Sequence, residues 1–230
     1  MWNKWNGRRK AVTFSYDDGV IFDERLVGLF NKYGMKCTFN LNSGIQTYAN
    51  AWNNSGVSVH RMNVAGLPEL YRGHEIASHC LTHEDLTKLD RATMYNEIHE
   101  DKMNLERIYG QEVVGFAYPF GTYNDEAVEV LRECGIKYAR TVWNMDNLMT
   151  VPEDLLRLRP GFHHSCETLT EKAKEFVLME PDEPVMLYIW GHSYEFEVDG
   201  TWDYFENILQ ILSGHDDIFY GTNRQVLLGE

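Results

Sequence analysis

Two short runs and one further histidine carry the side chains able to do chemistry. The first run is Asp17-Asp18-Gly19. Adjacent carboxylates repel each other unless a cation or a cationic side chain lies between them. At a strand end, alternating side-chain direction lets one carboxylate face a metal and the other the reacting atom. Asp-Gly is also a common hairpin signal, so a plain turn stays open. The second run is His79-Cys80-Leu81-Thr82-His83. Its four-residue offset would put both imidazoles on one face of a helical turn, where they could grip one ion. Two unrelated surface histidines are the alternative. His74 and Glu75 do not complete the HExxH pattern of zinc proteases, because His79 comes one residue too late. Together, Asp18, His79 and His83 make a three-ligand site with positions left for water or substrate. An ion there would acidify bound water and polarise a carbonyl, and Asp17 could take that water's proton. His192, in Trp190-Gly191-His192-Ser193, suits a general acid because histidine titrates near neutral pH. A core histidine satisfied by backbone is its other reading.

These groups can act together only if the chain delivers them to one place. Apolar periodicity predicts strands at 10–16, 36–42, 74–79, 113–118, 136–142, 185–190 and 217–220. Helices are expected at 22–33, 67–72, 91–109, 125–134, 167–179 and 202–212. Asp90 is the expected cap of the longest helix and Gly110 its stop. The polar, Asn-rich stretch 50–64 reads as a loop. With no linker or repeat, the chain reads as a single domain, 1–230. Alternating strand and helix predict an α/β fold with a parallel sheet, open or closed into a barrel. In such folds the site lies at the carboxyl ends of the strands. Asp17, Asp18, His79, Tyr118, Pro119 and His192 all follow predicted strand ends.

Composition narrows the function classes. The 230 residues are 43% hydrophobic and 13% aromatic, ample for a packed core. The net charge of −14 argues against nucleic acid as a partner. It is compatible with neutral or cationic substrates. No run is long and apolar enough to span a membrane, and residues 1–10 lack the apolar stretch of a secretory leader. Cys37, Cys80, Cys134 and Cys166 are widely spaced, without a CxxC pair. They read as free thiols in a reducing compartment, so the cytoplasm is the expected location.

The motifs, in this order, resemble those of the polysaccharide deacetylases of the NodB-homology group, carbohydrate esterase family 4. The family's TFDDG-type motif corresponds to Thr13-Phe14-Ser15-Tyr16-Asp17-Asp18-Gly19, with two residues inserted before the Asp pair. Its H-[ST]-x-x-H motif corresponds to His79–His83, with Cys80 where Ser or Thr is usual. R-x-P-[YF]-G corresponds to Ala117-Tyr118-Pro119-Phe120-Gly121, and the last motif to the apolar strand ending at His192. The resemblance spans about residues 10–195. It implies a distorted (β/α) barrel of about seven parallel strands. It also implies one divalent metal on Asp18, His79 and His83, zinc before cobalt, nickel or manganese. Asp17 would be the base and His192 the acid, with a backbone N–H near Phe120 helping Tyr118 and Pro119 shape the oxyanion and substrate side. The implied reaction is hydrolysis of an acetyl group, typically the N-acetyl of an amino sugar in an acetylated carbohydrate.

One departure matters. Ala117 stands where the family's arginine pairs with the catalytic aspartate. Arg140, on the next strand, is the expected replacement. Asp146 is the expected partner of His192, by loose analogy with the family's later aspartate. His163, His164, Glu195 and Glu197 could line the cleft, and Trp52, Trp143, Trp190 and Trp202 could stack on sugars, although core or solvated roles are the default. Two other functions compete. A glycosidase would need carboxylates flanking a sugar, which adjacent Asp17 and Asp18 do not provide. A carbohydrate-binding protein on a weakened deacetylase scaffold would fit the change at Ala117, and a deacylase of small amides remains open.

Overall fold

The computed structural model describes residues 4–230, so the first three residues of the N-terminal run lie outside it. In chain order the elements are β1 (Lys10–Asp17), α1 (Asp23–Lys32), β2 (Cys37–Leu41), β3 (Ala51–Asn54), β4 (Val57–His60), α2 (Leu67–Leu70), β5 (Glu75–Ser78), α3 (Arg91–Tyr109) and β6 (Gly115–Ala117). They continue with α4 (Asp125–Glu133), β7 (Tyr138–Arg140), β8 (Phe162–His163), α5 (Leu169–Leu178), β9 (Val185–Gly191), α6 (Ser193–Asp199), α7 (Trp202–Leu212), β10 (Ile218–Tyr220) and α8 (Asn223–Leu228).

The main sheet runs β7-β6-β5-β2-β1-β9-β8, with β10 beside the first part of β1. All its strand pairs are parallel. One segment ties the two edges together. Leu158 bridges to Arg140 of β7, and a few residues later Phe162 and His163 pair with β9. The sheet thereby curls into the expected distorted α/β barrel, seven strands on its path, with a broken last stave.

Strand β1 shows why the barrel holds. All eight of its residues are buried. Val12, Phe14 and Tyr16 point outward into an apolar layer with Leu26 and Phe30 of α1, Phe176 of α5, and Phe205 and Leu209 of α7. Burying each such side chain stabilises the fold by about 1.5–3 kcal/mol. The alternate residues Thr13, Ser15 and Asp17 point inward. The interior they enter is polar. Thr13 donates to Asn223, Thr38 and Tyr138 donate to the two oxygens of Glu75, and Asn40 and Arg140 both donate to Ser15. Helix α8 plugs the amino-terminal end of the barrel, where Asn223 donates to Tyr188 and its backbone N–H to Thr38. An unpartnered buried polar group costs about 1–3 kcal/mol, so these bonds favour the one register that makes them all.

Helix α3 has the expected bounds and ends. Asp90 accepts from the Thr93 N–H, and Gly110 closes the helix at φ 66°. The stretch 50–64 differs from the expected loop: it contains the antiparallel hairpin β3–β4. Its two-residue turn, Ser55-Gly56, has φ of 50° and 92°, the positive pair that a tight hairpin favours. The short elements β8, α6 and α8 also lie outside the predicted strands and helices. The four cysteines are unpaired. Among the described residues, no helix is long and apolar enough to cross a membrane.

Candidate active site

The carboxyl ends of the parallel strands open into a cleft of about 390 Å³, lined by Asp17, Asp18, Arg61, His79, His83 and His192 together with Trp52, Tyr118, Phe120, Val142 and Tyr194. Asp17 is the last residue of β1. The turn after it needs Gly19, at φ 62°, because a Cβ there would come within 2.7 Å of Gln46 and Leu41. Asp18 itself sits at φ 82°, a region that aspartate tolerates better than most residues.

Each carboxylate of the pair has its own guanidinium. Arg140 Nη2 lies 2.5 Å from both Asp17 oxygens. Arg140 is 1% exposed, and its guanidinium also lies 4.5 Å from the Trp190 ring centroid. Ala117 and Arg140 are register partners on β6 and β7. A positive charge one strand over from Ala117 therefore reaches the aspartate across the barrel. Burial alone would push the Asp17 carboxyl up, but Arg140, with His79 and His192 behind it, outweighs burial and holds the group down at about 2. Asp18 pairs with Arg61, whose Nη2 is 3.0 Å from Oδ1. Arg61 also donates to the Asp18 carbonyl and to Asn42, and lies over the Trp52 ring. Against the upward push of burial, Arg61 lowers the Asp18 carboxyl. Sequence reasoning missed Arg61 because it follows β4 in the stretch read as loop. The backbone bridge between Val20 and Arg61 docks that hairpin onto the Asp-Asp-Gly turn.

The histidine pair is positioned differently from the expected helical turn. Residues 79–83 form a loop after β5, with Cys80 at φ 66° and His83 at φ 64°. Helix α3 pins this loop. Asp101 accepts from the Ser78 hydroxyl and from the backbone N–H groups of Ser43 and His79, while Glu97 accepts from Thr82 N–H and hydroxyl. Burial pushes the Asp101 carboxyl up to about 6 despite these donors. The loop still brings the rings together, with centroids 4.7 Å apart. His79 Nδ1 lies 2.7 Å from the Ala117 carbonyl, which assigns it the ring proton and leaves Nε2 free to ligate. Burial lowers both imidazoles, His79 to about 4, so both are neutral near pH 7. One donor atom each from Asp18, His79 and His83 lies within 4.8 Å of the other two. A carboxylate with two neutral imidazoles is a donor set that suits zinc and similar ions.

His192 lies across the cleft, its Nε2 3.8 Å from Asp17 Oδ2 and 4.0 Å from Asp18 Oδ2. Its Nδ1 is 3.3 Å from Glu195 Oε2. Burial would lower this imidazole, but Glu195, Asp18 and Asp17 together raise it to about 9. The expected partner, Asp146, is exposed on the loop after β7 and is not among the cleft-lining residues. Glu195 takes that place because α6 starts at Ser193 and its first turn folds the carboxylate back onto the His192 N–H.

Tyr118, Pro119 and Phe120 follow β6. The Tyr118 hydroxyl is committed to the Leu156 carbonyl, so only its ring borders the cleft. Pro119 is buried at the start of a short 3-10 turn. Phe120, at φ 59°, is 60% exposed and packs edge-on to His83 at 4.9 Å. Of the tryptophans, Trp52 borders the cleft, Trp143 is half exposed beside Tyr123, and Trp190 and Trp202 are buried. Glu197 accepts from Trp202 Nε1. His163 and His164 gather around Glu195.

Comparison with known proteins identifies the family and the fold. The family described as polysaccharide deacetylase matches residues 4–139, more than half of the chain. YxkH of Bacillus subtilis (strain 168), described in the same terms, is 24% identical over 137 residues, which are 57% of this chain and 44% of that protein. The chain thus spans less than half the length of this curated relative. A family 4 carbohydrate esterase from Streptomyces lividans shares the fold with a TM-score of 0.59 at 17% identity, over 94% of this chain and 93% of that one. The chitin deacetylase of the fungal pathogen Colletotrichum lindemuthianum does so with a TM-score of 0.59 at 16% identity, over 96% and 88%. The chain belongs to the polysaccharide deacetylase family.

Proposed function

We propose that the protein is a metal-dependent carbohydrate deacetylase whose preferred substrate carries the N-acetyl group of an amino sugar. The observation that carries this reading is the convergence of Asp18, His79 and His83 in a cleft that also holds a second, arginine-paired carboxylate and a cationic histidine. Asp18, His79 and His83 would hold one divalent ion, zinc before cobalt, nickel or manganese. When bound, that ion supplies Lewis-acid activation of water and of the amide carbonyl.

The chain's own residues do the rest. Asp17, ionised at neutral pH beside Arg140, accepts the proton of the attacking water. His192, protonated at neutral pH, donates to the departing amine nitrogen. The Phe120 backbone N–H, on the left-handed turn at the cleft wall, is the oxyanion donor in this reading. Trp52, Tyr194 and Phe120 give the cleft aromatic faces, which suit the apolar face of a sugar ring. The positive charge missing at Ala117 is supplied by Arg140, which removes the main argument for a binding-only scaffold.

The test uses chelator-stripped protein reconstituted with zinc, cobalt, nickel or manganese. Acetate release is followed from acetylated chito-oligosaccharides, acetylated xylan and a small aryl amide. We expect activity to return with metal, to be highest on the chito-oligosaccharides, and to be lost in Asp17→Asn while the ion stays bound. Metal-independent activity, or none on any substrate with metal bound, would overturn the proposal.

A further inference from the structure

A second donor set of the same composition lies at the end of β8. His163 Nε2 is 3.2 Å and His164 Nε2 3.3 Å from Glu195 Oε2, and the three donor atoms lie within 4.8 Å of one another. We propose that His163, His164 and Glu195 form a second divalent-cation site, distinct from Asp18, His79 and His83.

Three observations carry this. First, His164 is 2% exposed, and neither of its ring nitrogens has a hydrogen-bond partner. Its Nε2 is aimed at that carboxylate without a hydrogen bond to it. Second, the spacing fits an ion. Bonds of about 2.0–2.1 Å in a tetrahedral shell set neighbouring donors about 3.3–3.4 Å apart. The two nitrogen–oxygen separations, 3.2 and 3.3 Å, lie near that edge length. His163 also hydrogen-bonds Glu195 at its separation, near the long end of about 2.7–3.2 Å for such bonds.

Third, the donors are held before any ligand arrives. The His164 ring stacks on Phe196 at 4.1 Å and on Tyr16 at 5.7 Å. It also fills the space beside Gly191, where a Cβ would come within 2.1 Å of Nδ1. His163 Nδ1 is 2.7 Å from the Ser165 hydroxyl, the kind of outer partner that orients a ligating imidazole. Glu195 Oε2 accepts from the His192 N–H at 3.0 Å. Two imidazoles and one carboxylate select zinc, cobalt or nickel over calcium or magnesium, which prefer all-oxygen shells. An ion here would clamp β8 to the first turn of α6 and so fix the segment carrying His192.

The test counts ions on the full chain. Chelator-stripped protein is titrated with zinc by calorimetry at pH 7, and anomalous diffraction at the zinc edge locates the sites. We expect two ions in the wild type and one in His163→Gln/His164→Gln, with the lost peak the one beside Glu195. Asp18→Asn/His83→Gln should also bind one ion, the retained peak lying beside Glu195. Should the double histidine variant fail to fold, Glu195→Gln decides by the same peak, expected to vanish or to bind at least 100-fold more weakly. A wild type with one ion at Asp18, or two ions in either second-site variant, overturns the proposal and leaves a hydrogen-bonded cluster only. Failure of the deacetylase reading shows separately, as absent acetate release with the ion count unchanged.

Discussion

Arg140→Met removes the charge beside Asp17 and keeps most of the side-chain volume. In the structure Arg140 is buried and reaches both carboxylate oxygens at 2.5 Å. Two unit charges about 4 Å apart at an effective dielectric of about 20 attract by about 4 kcal/mol, which corresponds to about 3 pKa units. Without Arg140, the Asp17 carboxyl should climb from about 2 to about 5 or higher by that arithmetic. Two results follow. Breaking a buried ion pair costs about 3–5 kcal/mol, readable by urea unfolding at pH 7.5. The acid limb of the pH–rate profile of metal-loaded protein should also move up, toward about pH 5, so activity fails near pH 5 but largely survives at pH 8. Because the folded Asp17 pKa lies below its unfolded value, the pair's stabilisation is present above about pH 4 and is lost as pH falls toward 2. The variant should lack that dependence. An unchanged acid limb together with a stability loss under about 0.5 kcal/mol, the size of an ordinary surface substitution, would refute the reasoning.

Three further outcomes are expected. Asp23 is buried between Ser193 and Tyr71, and burial raises its carboxyl to about 7; a folded pKa above the unfolded value destabilises as pH rises. Thermal unfolding should therefore show higher stability at pH 5 than at pH 8, a difference reduced in Asp23→Asn. Asp101→Asn removes one acceptor from the network under Ser78 and His79, so zinc affinity measured by competition should fall by about tenfold, the lower end for supports of metal ligands. Gly191→Ala would drive a Cβ into His164 and should cost about 1–3 kcal/mol in chemical denaturation, as overpacking does.

The parts of the site set by local chemistry were legible in the sequence. Asp17, Asp18, His79 and His192 follow strands whose apolar runs mark them, and α3 carries its cap and stop in Asp90 and Gly110. The hairpin β3–β4 was hidden because its strands are mostly exposed and polar, so no apolar alternation marks them. Asn54-Ser55-Gly56 was a turn signal that could have found it, and with it Arg61. The four-residue offset of the histidine pair suits a helix, and offset alone does not reveal the left-handed residues Cys80 and His83. Arg140 was nameable because one charge was missing and one arginine lay on the adjacent strand. Glu195 was harder to assign, because the helix start at Ser193 has His192, rather than Ser, Thr, Asp or Asn, at its cap, and Glu195 alone marks it.

The ion pair between Arg140 and Asp17 joins positions 123 apart in the chain. This separation orders events in time. A chain emerging from the ribosome presents Asp18, His79 and His83 well before β7 exists, since synthesis runs at about 5–20 residues per second. Over that interval Asp17 has no cation beside it, and burying it would leave a lone charge in the barrel. Docking Asp17 as an ion is therefore costly until β7 delivers the guanidinium. Competence would then arrive with barrel closure and be withheld from partly made or clipped chains.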